Sequence, residues 1–229
     1  MARRYVKERS ADRLLMRNEK CWYKDVCKRA DFGCSNCIRY LEMSYLVENS
    51  GIPENQQKPI SLRCDAVDKK AFENLFEIKN DILRFVENGN NLYITSENTG
   101  NGKTSWARKI LLKYFDCVWA GNGFCVRGYF AHVPTLLNIL KDFKTDRTWL
   151  QTCLYSDLVV WDDIASTKLS DYDATQLLSI IDSRINQGKS NIYTGNITTK
   201  KELEEVLGAR LASRIWSSVI IELKGKDRR

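Results

Sequence analysis

Apolar positions along this chain switch between two periods. Over residues 68–87 they recur at helical spacing (Phe72, Leu75, Phe76, Ile82, Leu83, Val86), and Asn88-Gly89-Asn90 ends that stretch. The short run Leu92-Tyr93-Ile94 then reads as a strand. A helix follows from Lys103, with Trp106, Ile110, Leu111 and Tyr114 on or near one face. Residues 127–133 read as a second strand, and Pro134 opens a helix over 135–143. A helical stretch at 149–155 precedes the strand Leu158-Val159-Val160-Trp161. Further on come a helix at 174–186 closed by Gly188, a strand at 191–194, two short helices over 200–213 and a last strand at 219–223. Strands alternating with helices predict an α/β fold, a parallel sheet flanked by helices on both faces.

The pattern also predicts a division of the chain. Residues 1–50 form a basic, cysteine-bearing unit, 51–67 a linker, and 68–229 the α/β domain. The stretch 49–59 is polar and holds two of the three prolines. With 229 residues, 43% apolar and 28% charged, the chain suits one globular domain plus an appendage. No run of eighteen apolar residues exists, and the charged start lacks an apolar segment behind it, so the expectation is a cytoplasmic protein with no membrane partner. The net charge of +7 is uneven: residues 2–20 carry seven Lys/Arg against three acids, and 224–229 are again basic. That balance fits a polyanion partner without specifying one.

The strongest chemical signal is Ser96-Glu97-Asn98-Thr99-Gly100-Asn101-Gly102-Lys103-Thr104-Ser105, a loop between a strand and a helix. In a P-loop the backbone N–H groups cradle phosphates, the lysine reaches the β/γ oxygens, and the hydroxyl binds Mg²⁺. Those roles fall to Gly100, Gly102, Lys103 and Thr104. The usual pattern has glycine where this chain has Glu97, which leaves the turn to Gly100. The strand ending in Asp162-Asp163 completes the reading, because an apolar strand buried in a parallel sheet presents charge only at its carboxyl edge, beside the phosphates. ATP and Mg²⁺, the latter on Thr104 and Asp162, are the expected ligands.

Of eight cysteines, Cys21, Cys27, Cys34 and Cys37 cluster, ending in a C-x-x-C pair. Four thiolates satisfy tetrahedral Zn²⁺, and a segment this short lacks the core to fold unaided. A structural zinc site is therefore expected in a small N-terminal helical domain; the other reading is a metal-free helical segment with reduced cysteines. The single histidine, His132, reads as a core or edge residue of its strand.

Gly-Asn-Gly-Lys-Thr after a strand, Asp162-Asp163 followed by Ile164, Thr194-Gly195-Asn196 ending a strand, and Leu207-Gly208-Ala209-Arg210-Leu211-Ala212-Ser213-Arg214-Ile215 together resemble the bacterial and phage replicative-helicase loaders of the DnaC/DnaI type, which are AAA+ P-loop ATPases. The resemblance runs from about residue 68 onward. The cysteine unit is similar to the zinc-binding, helicase-contacting domain of some loaders, with a different spacing.

The resemblance implies roles. Gly100, Asn101, Gly102, Lys103, Thr104, Ser105, Arg210 and Arg228 would contact nucleotide. Asp162 would hold Mg²⁺, Asp163 would polarise the attacking water in place of the more usual glutamate, and Asn196 would orient that water. Arg214 would act as an arginine finger on a neighbouring subunit's nucleotide, which makes self-association into a ring or spiral part of the mechanism. Tyr129, Phe130, Lys141, Phe143 and Lys144 would grip single-stranded DNA. The function implied is ATP-dependent delivery of the hexameric replicative helicase onto single-stranded DNA, in a bacterial cytoplasm, with a phage or mobile element as a fitting source. Two alternatives stay open: an IstB-like transposition-helper ATPase acting on duplex DNA, and an adaptor that holds nucleotide without turning it over.

Overall fold

The computed structural model describes residues 37–57, 60–141 and 148–227. Along the chain run α1 (Ile38–Glu48), α2 (Lys69–Asn80), α3 (Ile82–Glu87), β1 (Asn91–Thr95), α4 (Lys103–Val118), β2 (Gly128–His132), α5 (Val133–Lys141), α6 (Thr148–Tyr155), β3 (Leu158–Asp162), α7 (Asp171–Asn186), β4 (Ser190–Gly195), α8 (Lys200–Leu207), α9 (Ala209–Trp216) and β5 (Val219–Glu222). The strands form one sheet in the order β2-β3-β4-β1-β5, and every pairing is parallel.

Period-two alternation sends the side chains of each strand into two separate cores. Leu92 and Ile94 of β1, Leu158 and Val160 of β3 and Ile192 of β4 pack with Trp106, Ile110 and Phe115 of α4 and with Phe72, Leu75, Ile82 and Phe85 of α2 and α3. Tyr93, Val159, Trp161 and Tyr193 face the other way. There they meet Leu136 of α5, Cys153 of α6, Leu177 and Ile181 of α7, Leu203 of α8 and Leu211 and Ile215 of α9. With both faces covered, the strands read as the continuous apolar runs seen in the sequence.

The structure departs from the sequence reading at two places. The helix expected over 68–87 is broken at Asp81, whose φ of −104° and ψ of 32° leave the helical region, so α2 and α3 meet the sheet as separate pieces. The segment expected to be appendage and linker belongs partly to the α/β core. Met43, Leu46 and Val47 of α1 and Ile52 are buried in the same cluster as α4. Beyond α1 the Ser50 carbonyl accepts the Phe130 amide of edge strand β2 at 2.6 Å, so this segment shields the sheet edge there. A Cβ on Gly51, whose φ is +74°, would stand 2.6 Å from the Phe130 carbonyl oxygen. Among the described residues no helix is long and apolar enough to cross a membrane.

At the amino edge of the sheet a fully buried arginine ties α7 to β4, to α6 and to the turn that follows α6. Arg184 of α7 donates through Nη1 to the carbonyls of Cys153 and Ser156, through Nη2 to Ser190 at 2.6 Å, and through Nε to Asn191 Oδ1 at 2.7 Å. Its burial pulls the guanidinium down to about 10, still protonated at neutral pH. Nearby, Asp157 accepts from Lys189 at 2.9 Å, Arg127 at 2.5 Å and the Tyr114 hydroxyl at 3.0 Å. Burial alone would raise this carboxyl; the Lys189 and Arg127 donors outweigh it and hold it below the usual range.

Replacing Arg184 with Met should cost about 3 kcal/mol or more in urea denaturation, because several buried carbonyls lose their donor at once. Arg184→Lys should recover only part, lacking the fork that reaches both β4 and the end of α6. Asp157 titrates lower folded than unfolded. Its stabilisation is therefore complete above the unfolded carboxylate range and lost as pH falls toward the folded value. Thermal midpoints measured from about pH 3 to 7 should show a flatter acid limb in Asp157→Asn than in the parent chain.

Candidate nucleotide site

The loop 96–102 leaves the carboxyl end of central strand β1 and enters α4 at Lys103. Its turn is made by Gly100 and Gly102, at φ of +69° and +103°. Glu97 needs no positive φ and turns its carboxylate outward, where it accepts the Thr198 hydroxyl at 3.3 Å. The glycine missing at position 97 is thus compensated three residues later. Inside the loop, Ser96 Oγ accepts the Asn98 amide at 3.0 Å and the side-chain amide of Asn101, which is fully buried. The largely buried Lys103 ammonium donates to the Asn98 carbonyl at 2.9 Å and sits 3.4 Å from Asn101 Oδ1.

A distant segment braces this loop. The side chain of Asn101 donates to the Leu223 carbonyl at 3.1 Å, and that of Asn98 to the carbonyls of Lys224 and Gly225 at 3.4 and 3.3 Å. That segment is itself held by Asp68, 1% exposed, whose carboxylate accepts the amides of Lys224 at 2.7 Å and Gly225 at 3.1 Å. Asp227 packs its carboxylate on Gly100, so any side chain at position 100 would collide with it.

Two strands away, Asp162 closes β3 at the same edge. It accepts the Thr194 hydroxyl at 2.7 Å and is hydrogen-bonded by Thr104, which brings the expected metal-binding hydroxyl and carboxylate together. Burial is the main reason its carboxyl is raised, and the two threonine hydroxyls work against that shift. A dication is the natural counter-charge for a desolvated carboxylate beside a hydroxyl and an anion-cradling loop, so Thr104 and Asp162 fit Mg²⁺ bound with a nucleotide. Asp163 stands in the left-handed region at φ +60°, tolerated by Asp but rare, and its amide donates to Thr194 Oγ1 at 2.9 Å. Thr194 therefore sets both aspartates, a role the sequence reading missed by looking only at Asn196 two residues on.

Asn196 follows β4 in a loop pinned from beneath. The Ile197 carbonyl accepts Thr95 Oγ1 at 2.6 Å and the Tyr93 hydroxyl at 2.8 Å, and a Cβ on Gly195 would lie 2.7 Å from that hydroxyl. His132 was read as a core or edge residue. It ends β2 exposed, in register with Asp162. Its Nδ1 lies 2.8 Å from Thr135 Oγ1. Arg108, one turn beyond Thr104, feels Asp162 and reaches Gln56; no motif marks it.

Other expected site residues fall elsewhere. Arg210 and Arg214 lie exposed on α9, away from this chain's own loop contacts, and Arg214 pairs with Asp182 of α7 at 2.5 Å. Ser105 sits half-buried on the first turn of α4. Phe130 is 5% exposed and part of the core, so its ring has no open face for a base, contrary to the expectation; Tyr129 beside it is half-buried. Lys141 ends α5, while Phe143, Lys144 and Arg228 lie outside the described residues. Cys21, Cys27 and Cys34 lie outside them too. Cys37 precedes α1, and among the described residues no group of three or more His, Cys, Asp or Glu could hold a metal, so the structure gives the zinc expectation no support.

Comparison with known proteins identifies the family and the fold. No curated protein matches the chain. Among solved structures it is similar to the DnaC helicase loader, with 26% identity over 72% of this chain and 94% of that one, at a TM-score of 0.59. DnaI shares the fold at 20% identity over 80% of this chain and 92% of that one, TM-score 0.58. So does a putative primosome component from Streptococcus pyogenes serotype M3, at 17% identity over 81% and 98%, TM-score 0.59. The IstB-like ATP binding protein family model matches residues 64–220, which spans the phosphate loop, both aspartates, Asn196 and the α9 arginines. The chain belongs to the IstB-like ATP binding protein family, within the DnaC-type AAA+ group that its sequence resembles.

Proposed function

We propose that this protein is an ATP-dependent loader that binds a hexameric replicative helicase and delivers it onto single-stranded DNA. The observation that supports the reading best is the likeness to the DnaC helicase loader across nearly all of that chain, combined with a braced phosphate loop and paired aspartates. Lys103 and the amides around Gly100 and Gly102 bind the triphosphate, Thr104 and Asp162 hold Mg²⁺, and Asp163 and Asn196 position the attacking water. Arg214 leaves Asp182 for the nucleotide of a neighbouring subunit, so hydrolysis requires a ring or spiral. An exposed ion pair of this kind is weak, so assembly exchanges it at little cost. The basic cysteine unit, holding Zn²⁺ on Cys21, Cys27, Cys34 and Cys37, docks on the helicase, and ATP switches between assembled and released states. A second reading draws on the family match itself, in which the chain is a transposition helper assembling on duplex DNA.

Light scattering on a sizing column with ATP separates the two. The full chain should co-elute with a bacterial replicative helicase, and a Cys27→Ser/Cys34→Ser variant should not. Failure of the parent chain to bind helicase, together with ATP-dependent coating of duplex DNA, overturns the loader reading for the second. Asp162→Asn should cut steady-state ATP hydrolysis by more than about 100-fold. Because the raised Asp162 carboxyl makes ionisation a cost to the folded chain, that variant's melting temperature should stay level or rise; a fall would contradict the burial account.

A further inference from the structure

Several lysines and arginines on this surface face a carboxylate. Lys113, Arg127, Lys189 and Arg214 each have one within 3.0 Å. Lys79 of α2 and Lys109 of α4 do not. Among the described residues no carboxylate lies within ion-pair reach of either. Both instead lean on aromatic rings: Lys79 Nζ lies 4.8 Å from the centre of Phe76, and Lys109 Nζ lies 5.5 Å from Phe76 and 5.5 Å from Trp106.

The crowding carries a cost. Burial first, and then the charge of Lys113, lowers Lys79; burial, and then the charge of Lys79, lowers Lys109. Three ammonium groups thus gather where α2 crosses α4, with Asp116 engaged by Lys113 and by Arg39. Among them Phe76 keeps 39% of its surface in solvent although its edge-to-face contact with Trp106, at 5.0 Å between centres, fixes the ring. A held, exposed ring flanked by under-compensated cations has the chemistry of a platform for an unpaired base with phosphates on either side.

We infer that the α2–α4 face, through Phe76, Lys79 and Lys109 with Lys113 beside them, is a binding site for single-stranded nucleic acid. It is separate from the β2–α5 region considered from sequence. This inference rests on the DNA-binding part of the proposed function. An incoming phosphate takes the place of the missing carboxylates. Lys109 currently donates to the Ile60 carbonyl at 3.2 Å and has two donors left for it. A duplex would offer phosphates but no free base for Phe76, which is why the site favours a single strand.

Fluorescence anisotropy with labelled oligo-dT and the full chain, repeated across salt concentrations, tests this. Losing a phosphate contact reduces the log–log salt slope by about 0.7 for a single strand, so Lys79→Gln/Lys109→Gln should lower the slope by about 1.4. Phe76→Leu should weaken binding by about fivefold or more with the slope unchanged, since stacking carries no counterion term. Lys200→Gln/Lys201→Gln on α8 removes the same charge elsewhere and should leave the slope near that of the parent chain. ATP affinity, read with a fluorescent analogue, should be unchanged in all three. A parent-like slope in the Lys79/Lys109 variant, or an equal fall in the Lys200/Lys201 variant, overturns the inference alone. Parent protein that binds no oligonucleotide overturns both it and the loader reading, and tighter binding of a matched duplex overturns the single-strand assignment.

Discussion

A parallel sheet covered on both faces leaves polar chemistry one exit, the carboxyl edge, and everything in this site follows from that constraint. β1, β3 and β4 deliver the phosphate loop, Asp162 and Thr194-Gly195-Asn196 to one line because their registers are locked residue by residue. The Thr194 hydroxyl makes the line rigid. By donating to the Asp162 carboxylate and accepting the Asp163 amide, it fixes two adjacent residues that point different ways, and it holds Asp163 in a conformation an isolated chain would seldom visit.

The opposite edge carries a different burden. There a single arginine serves the carbonyls of Cys153, Ser156 and Ser190, while Asn191 links the Trp161 indole, Arg184 and Asn91 in one chain of hydrogen bonds. Chemistry and structural support are thus divided between the two ends of the same strands. Both edges therefore bury charge, Arg184 at the amino edge and Asp162 and Lys103 at the carboxyl edge, each held by its own set of hydrogen bonds.

What the sequence made legible was local. Strand periodicity, the Gly100–Thr104 loop and the aspartates after β3 are each written in a few consecutive residues, and the structure places them together. Glu97 looked like a defect only because one glycine of the pattern was missing; the backbone finds its turn at Gly100 and Gly102. What escaped was long-range. Asp68 resembled a helix start, Thr194 a strand residue and Phe130 a DNA contact, and Arg184 stood unmarked within the 174–186 helix, since none has a neighbour in sequence that reveals its partners. The boundary near residue 50 misled for a related reason: a polar, proline-containing stretch looks like a linker whether or not its backbone is paired to a sheet edge.

The brace on the phosphate loop gives synthesis a direction. The side chains of Asn98 and Asn101 find their carbonyl partners 122 to 127 positions downstream. During translation the loop and its helix therefore emerge long before the strand and tail that complete their hydrogen bonds. A nascent chain carries the whole nucleotide motif yet has no finished pocket. The loop's last side-chain hydrogen bonds close only once residues 223–225 are in place beside it.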